Sequence, residues 1–269
     1  MIPKIIHYVW VGGKPLNEMA LKCIESWKKF CPDYEIKRWD ETNFDINQNQ
    51  FCKEAYESKK WAFVSDYIRL KVLFDYGGIY MDADVELIKP IDKFLTHKGF
   101  SGFECTNKIP TGIMAARKGN PWIKIMLDYY NDRPFIKPDG SFENMPNVLF
   151  MSDLTVKNYN LELDNKFHDI GDYVFYPNDY FCPNPDGIGG YVPTKNTYAI
   201  HHFMSSWVPK KVKRKARFKM FIKKIIAFFI GKKNLSKIIQ KRAAKKQHQT
   251  NNELYEELSK ESFKHDKSN

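Results

Sequence analysis

The sequence predicts a mixed α/β domain, and three observations carry that reading. The chain opens on an apolar, β-rich run from Ile5 to Val11, then a helical pattern, then an alternating run: strand, helix, strand. A long apolar helix further on stops at Gly77-Gly78 and feeds another strand, which makes a crossover unit. That strand carries two acids one residue apart, Asp82 and Asp84, where sheets of this kind place their ligands, beyond a strand's C-terminal end.

Each element has its own signal. Ile5 to Val11 ends at Gly12-Gly13, a strand running into a loop. Asn17 to Phe30 sets Met19, Ala20, Cys23, Ile24, Trp27 and Phe30 at helical spacing, and Pro32 stops it. Tyr34 to Trp39 alternates as a second strand. Residues 43–53 are polar and rich in Asn and Gln, which predicts a loop or an irregular helix start. Lys59 to Tyr76 is a helix with Ala62, Asp66, Arg69 and Leu73 on one stripe and apolar residues over much of the remainder. Ile79 to Val85 is expected to be one strand carrying both acids. Phe100 to Glu104 and Gly112 to Ala116 are short strands, and Pro121 to Asn131 is a helix with proline in its first turn. The stretches 132–146 and 173–193 are expected to be irregular. No internal repeat is present.

Composition limits the function classes. Of 269 residues, 43% are hydrophobic and 15% aromatic, enough for a substantial core with rings left over for a cleft. The net charge of +11 comes from one segment. Residues 1–209 hold 24 Lys and Arg against 27 Asp and Glu, a net −3; residues 210–246 hold 16 basic residues and no acid; residues 247–269 are net −2. A near-neutral body does not predict a nucleic-acid partner. Five cysteines without a close pair fit a reducing compartment better than a disulfide framework. No secretory leader and no run of about 20 apolar residues is read.

Tyr80-Met81-Asp82-Ala83-Asp84 is the most informative stretch. Residues two apart on a strand share a face, so the carboxylates can converge on one hard cation. Oxygen ligation of this kind suits Mg²⁺ or Mn²⁺, which take phosphate oxygens as further ligands. Taken alone, such a pair is more often a solvated turn. Asp66 and Arg69, three apart, share a helix face, and apolar neighbours imply that they are partly buried. An exposed ion pair there would contribute little.

Three segments in order resemble a known family: His7-Tyr8-Val9-Trp10-Val11-Gly12-Gly13, Ala62-Phe63-Val64-Ser65-Asp66-Tyr67-Ile68-Arg69, and Gly77-Gly78-Ile79-Tyr80-Met81-Asp82-Ala83-Asp84. They are similar to the glycosyltransferase sugar-binding region that contains the DXD motif, in family 32 with the capsular-polysaccharide enzymes. The glucosylating domain of large clostridial toxins is a more distant likeness. The resemblance covers most of residues 1–207 and implies a GT-A-like fold and a retaining transfer from a nucleotide-sugar, with a UDP-sugar favoured. It implies that Asp82 and Asp84 hold the metal, that Trp10 stacks on the base with Val9 offering backbone bonds, and that Asp66 and Arg69 contact sugar and ribose. Tyr80 is a further possible cleft contact. It also implies a closing segment, His201-His202 followed by Ser205 and Trp207, in which a histidine completes the metal shell and Ser205 and Trp207 reach the diphosphate. Adjacent strand residues face opposite ways, so one histidine is expected to ligate; His202 is preferred, with His201 the alternative. Asp153, Glu143 and Asp186 are read as loop residues able to face an acceptor.

Residues 210–230 interleave Lys and Arg with Phe218, Phe221, Ile222, Ile225, Ile226, Phe229 and Ile230, a basic amphipathic helix whose natural partner is an anionic membrane surface. The expected organisation is a catalytic domain at 1–208, membrane-associating helices at 209–246 and a polar tail at 247–269. The expected function is metal-dependent hexose transfer to a surface polysaccharide or lipid-linked glycan on the cytoplasmic face of the membrane. The alternatives are transfer to a protein acceptor and a non-catalytic sugar- or nucleotide-binding protein.

Overall fold

The computed structural model describes residues 1–183 and 191–204 and, beyond them, residues 222, 225, 226, 229–231, 234, 235 and 238. Among these residues the chain runs β1 (Ile5–Val9), α1 (Glu18–Phe30), β2 (Glu35–Trp39), α2 (Gln50–Glu57), α3 (Trp61–Tyr76), β3 (Gly78–Met81), β4 (Val85–Leu87), β5 (Gly99–Gly102), β6 (Ile113–Ala116), α4 (Pro121–Asp128), α5 (Asn147–Tyr159), β7 (His168–Asp169), β8 (Val174–Tyr176) and β9 (Ala199–His201). Seven strands make one mixed sheet in the order β2-β1-β3-β6-β5-β8-β7, and β4 and β9 pair separately. β1 is parallel to β2 and β3, and β3 and β5 are antiparallel to β6 between them.

The sheet is buried on both faces, and alternate residues sort between two cores. Tyr80, Met114 and Ala116 pack on one side with Ile68, Leu70 and Trp122 from α3 and α4. Ile6, Tyr8, Ile79 and Met81 pack on the other with Trp27 from α1 and with Phe94. α1 begins where the Asn17 side chain accepts from the Ala20 N–H, and α4 where Asn120 caps Ile123 with Pro121 in the first turn. α3 ends at Gly77, with φ of 68°, and the next residue is held by contact: a Cβ on Gly78 would lie 2.8 Å from both His7 Nε2 and Ile5 O.

The sequence reading left one element open, did not read a second and misplaced the end of a third. The polar stretch 43–53 leads into α2, because Asn49 caps Cys52 and the apolar residues Phe51, Cys52 and Ala55 fall on one buried face. α5 occupies a stretch that carried no clear stripe, and its buried positions include Ser152 and Thr155. The strand expected from Ile79 to Val85 breaks at Asp82, whose N–H donates to Gly112 O at 2.8 Å. The Val85 N–H then closes a turn onto Asp82 O at 2.9 Å, and β4 leaves the large sheet to pair with β9. The two acids therefore stand in a turn between sheets rather than along one strand.

Candidate metal and donor site

The turn at 82–84 and the end of β9 build the site together. The register β4 to β9 sets Val85 opposite His201, and His202 N–H donates to Asp84 O at 2.9 Å. His201 thereby points at the two acids: its Nε2 lies 3.3 Å from Asp84 Oδ1 and 3.7 Å from Asp82 Oδ2. One ligand atom from each of Asp82, Asp84 and His201 lies within 4.8 Å of the others. Asp84 is fixed further by the Met204 N–H, which donates to its Oδ2 at 2.8 Å. The His201 ring stacks on Phe203 with centroids 4.0 Å apart, and its Nδ1 is buried with no hydrogen-bond partner among the described residues.

Room at this point is made by Gly112. A Cβ there would lie 2.9 Å from both Asp82 Oδ2 and His201 Nδ1, so any side chain would press on the cluster. Two carboxylate oxygens and one imidazole nitrogen form a donor set suited to a divalent cation such as Mn²⁺. Without an ion the charges answer one another. Burial pushes the Asp84 carboxyl up, but the hydrogen bond and charge of His201 outweigh it and leave the pKa below the usual carboxylate value. His201 is shifted upward: burial opposes its charge, and Asp84, Asp82 and Glu104 more than offset that.

A second group continues from Asp82. Arg69 Nη2 lies 2.9 Å from Asp66 Oδ1 and 3.1 Å from Asp82 Oδ1, and the guanidinium sits over the Tyr80 ring, 4.6 Å from its centroid. Tyr80 OH donates to Asp82 Oδ1 at 2.9 Å. Asp66 also accepts from Asn147 Nδ2 at 2.8 Å, so the first residue of α5 reaches back to α3. Asp66 is 8% and Arg69 6% exposed, which makes this a buried network and not a solvated helical pair. Burial pushes Asp66 up to about 6, while Arg69, facing two carboxylates, is held charged above its usual value.

The structure thus brings Asp82, Asp84, Asp66, Arg69, Tyr80 and His201 into one constellation. His202 faces away: its Nε2 lies 2.8 Å from Glu86 Oε2, and Glu86 also accepts from Lys22 Nζ at 2.9 Å. The preference for His202 over His201 does not match this geometry, because the β4–β9 register decides which imidazole meets the turn. Val9 ends β1, and the Trp10 N–H donates to Trp39 O at 2.9 Å. The Trp10 ring is partly buried against the α1-side core, its indole N–H donating to Lys14 O at 2.7 Å. Ser205, Trp207 and Asp186 lie outside the described residues. Asp153 falls within α5 rather than in a loop, and Glu143 lies 3.6 Å from both Arg133 and Lys137. Sequence reasoning missed Asn147 and Gly112. A glycine two residues past an Ile-Pro pair, ahead of an apolar strand, was a weak signal for Gly112; Asn147 had none.

Fold and site together define a mixed α/β protein with a divalent-metal donor set just beyond the C-terminal end of the central strand β3. Residues 17–101 match the family described as the glycosyltransferase sugar-binding region containing DXD motif. The chain is similar to inositol phosphoceramide mannosyltransferase 3 of Schizosaccharomyces pombe, 29% identical over 129 residues, covering 45% of this chain and 35% of that protein. It therefore spans about a third of the length of that relative. It is also similar to "Uncharacterized glycosyltransferase L373" of Acanthamoeba polyphaga mimivirus, 27% identical over 231 residues, covering 78% of this chain and 85% of that protein. Among solved structures it resembles one titled PaToxG Glycosyltransferase, with a TM-score of 0.45, 22% identity, and coverage of 59% of this chain and 70% of the other.

Proposed function

We propose that the protein is a metal-dependent glycosyltransferase of GT-A-like fold that moves a hexose from a nucleotide-sugar to a glycan or lipid-linked acceptor, retaining the anomeric configuration. The observation that carries this reading is the convergence of Asp82, Asp84 and His201 within 4.8 Å, beside a buried Asp66–Arg69–Asp82 network. Asp82, Asp84 and His201 would hold Mn²⁺ or Mg²⁺. When bound, such an ion supplies positive charge to a diphosphate as the glycosidic bond breaks. The chain's own residues do the remainder. Asp66 offers carboxylate oxygens to sugar and ribose hydroxyls, held in place by Arg69 and Asn147. Arg69 Nη2 and Tyr80 OH both hold Asp82 Oδ1 and so aim that carboxylate. Trp10 and Val9, at the end of β1, would take the base. Ser205 and Trp207 would close on the diphosphate.

A UDP-sugar is the favoured donor, and the name of the yeast relative adds mannose to the hexoses worth testing. We further propose a membrane-facing segment at 209–246, following a catalytic domain at 1–208 and preceding a polar tail at 247–269. Residues 210–246 carry 16 basic residues and no acid, and the helical residues Ile222, Ile225, Ile226, Phe229 and Ile230 are each at least 39% exposed. That combination suits peripheral attachment to an anionic cytoplasmic leaflet. Among the described residues no helix is long and apolar enough to cross a membrane.

The enzyme reading is tested by incubating the full chain with Mn²⁺ and a panel of UDP-glucose, UDP-galactose, UDP-N-acetylglucosamine and GDP-mannose. Slow release of nucleotide from one donor is expected. Tight binding of a donor without turnover, with any acceptor supplied, would favour a non-catalytic protein.

A further inference from the structure

The end of α4 and the loop that leads to α5 line a cavity of about 550 Å³, to which the reading above gives no task. Its volume falls in the range of small-molecule sites. Its walls are braced. Phe150 stacks on one face of the Tyr129 ring with centroids 3.9 Å apart, and the Arg133 guanidinium lies 4.0 Å from the centroid of the same ring. Arg133 Nε also donates to Tyr129 O at 3.2 Å. Glu143 is fixed by the Met145 N–H, which donates to its Oε1 at 3.2 Å, and by its own N–H on Phe135 O at 2.8 Å. The Phe135 and Ile136 N–H groups both donate to Glu54 Oε2 at 2.8 Å, which ties the loop to α2.

Two connections place this cavity beside the donor site. Asn147, whose Nδ2 reaches Asp66 at 2.8 Å, is four residues past Glu143, so their Cα atoms are no more than about 14 Å apart. On the other wall, Tyr130 follows Tyr129 and packs its ring on Tyr67, the neighbour of Asp66, with centroids 5.7 Å apart. A chain of sugars with its terminal unit at the donor hexose can therefore rest its next units here.

The lining says what kind of ligand fits. Arg133 Nη1 and Lys137 Nζ each stop 3.6 Å from the same oxygen, Glu143 Oε2, beyond hydrogen-bond distance. Two donors and an acceptor are thus gathered without being joined. A hydroxyl suits that arrangement, because it accepts from the cations and donates to the carboxylate. The charges nearly balance: Asp128, Asp132 and Glu143 face Arg133 and Lys137, and Lys124 pairs with Asp128. A polyanion would be opposed by the three acids, and a polycation by the two bases. Pro134 and the rim of Tyr129 add apolar surface for the C–H face of a sugar ring.

We propose that this cavity is the acceptor subsite and that it takes a neutral oligosaccharide, whose hydroxyls bond to Glu143, Arg133 and Lys137. This rests on the glycosyltransferase reading and deepens it by naming the acceptor's class and its place. Each of the three side chains offers a charge-assisted hydrogen bond, and the braced loop holds them in position before the acceptor arrives.

The test uses the full chain with Mn²⁺ and whichever nucleotide-sugar the wild type hydrolyses. If it hydrolyses none, the enzyme reading fails and takes this proposal with it; once a donor is hydrolysed, every later outcome bears on the cavity alone. Transfer from that donor is then measured to an array of neutral oligosaccharides ending in mannose, glucose, galactose or N-acetylhexosamine, and to a protein extract. Transfer to at least one oligosaccharide is expected. Transfer to none of them, or to polypeptide alone, would overturn the proposal. With the best oligosaccharide, Glu143→Gln and Lys137→Ala should each raise the acceptor KM about tenfold, the loss of one charge-assisted hydrogen bond, while the donor KM stays within about threefold. Their melting temperatures should match the wild type, since the amide oxygen of Glu143→Gln still accepts from the Met145 N–H and Lys137 has only a loose pair to lose. An unchanged acceptor KM in both variants would overturn the assignment. So would an equal rise in donor KM, which would mean that the loop only supports the donor site. The same saccharide is also supplied as its dodecyl glycoside: equal fold-changes for the free and lipid-like forms are expected, and a change confined to the glycoside would place the alkyl chain, not the sugar, in the cavity.

Discussion

His7 and His201 are both buried imidazoles, one on β1 and the other at the end of β9, yet their surroundings are opposite. His7 is fully satisfied. The Trp39 indole can only donate, so its 3.0 Å bond makes His7 Nδ1 the acceptor, and Nε2 must then carry the proton donated to Gly77 O at 2.8 Å. Burial holds this imidazole neutral, with its pKa lowered to about 4. His201 instead faces two carboxylates through Nε2, leaves Nδ1 without a partner among the described residues, and is shifted toward the charged form. One histidine has every bond filled and no vacant direction; the other is surrounded by anions and left incomplete. The comparison separates a residue that closes the fold from one positioned to receive something.

The largest effect should come from the incomplete side. Asp84→Ala removes a carboxylate of the donor set, and donor hydrolysis should fall by more than the roughly 10–100-fold typical of losing an outer-shell partner. Hydrolysis within about threefold of wild type would remove Asp84 from the chemistry. Next comes Arg69→Ala, which strands Asp66 in the interior and takes a partner from the half-buried Asp82. Its cost, read by urea unfolding, should be about 3–5 kcal/mol, and an exposed pair would give less than about 1 kcal/mol.

The satisfied side makes a pH prediction with a definite sign. The folded pKa of His7, about 4, lies below the ordinary imidazole value of 6.5, so between these values the unfolded chain binds a proton that the native protein refuses. Its contribution is therefore complete above pH 6.5 and is lost as pH falls toward 4, by about 3 kcal/mol in all. Unfolding measured at pH 7 and pH 5 should show this dependence in the wild type and a flatter one in His7→Gln; equal slopes would show that His7 is not the group responsible. Smallest is Gly112→Ala, whose methyl would press on Asp82 and His201. It should weaken Mn²⁺ affinity about tenfold with the fold retained, and unchanged affinity would mean that the loop yields freely.

What could be read in advance follows from how local each constraint is. Asp66, Arg69, Tyr80, Asp82 and Asp84 fall within one helix-to-strand unit, where periodicity fixes relative direction, and the structure brings them together. The mixed α/β class followed from the same periodicities. The break of the strand at Asp82 could not be read, because the turn from Asp82 to Val85 goes with the pairing of β4 to β9, a strand far along the chain. Nor could the choice between His201 and His202, since alternation says that one faces inward but only pairing with β4 says which. α5 hid behind an apolar block, Val148 to Met151, with no stripe, and Asn147 with it.

The central claim is that Asp82, Asp84 and His201 hold one divalent cation. Mn²⁺ titration of the full chain by calorimetry, beside His201→Ala and His202→Ala, tests it directly. The account predicts a single site whose affinity falls at least about tenfold in His201→Ala and stays within about threefold in His202→Ala. A loss in His202→Ala with His201→Ala unaffected, or no saturable Mn²⁺ binding by the wild type, would contradict it.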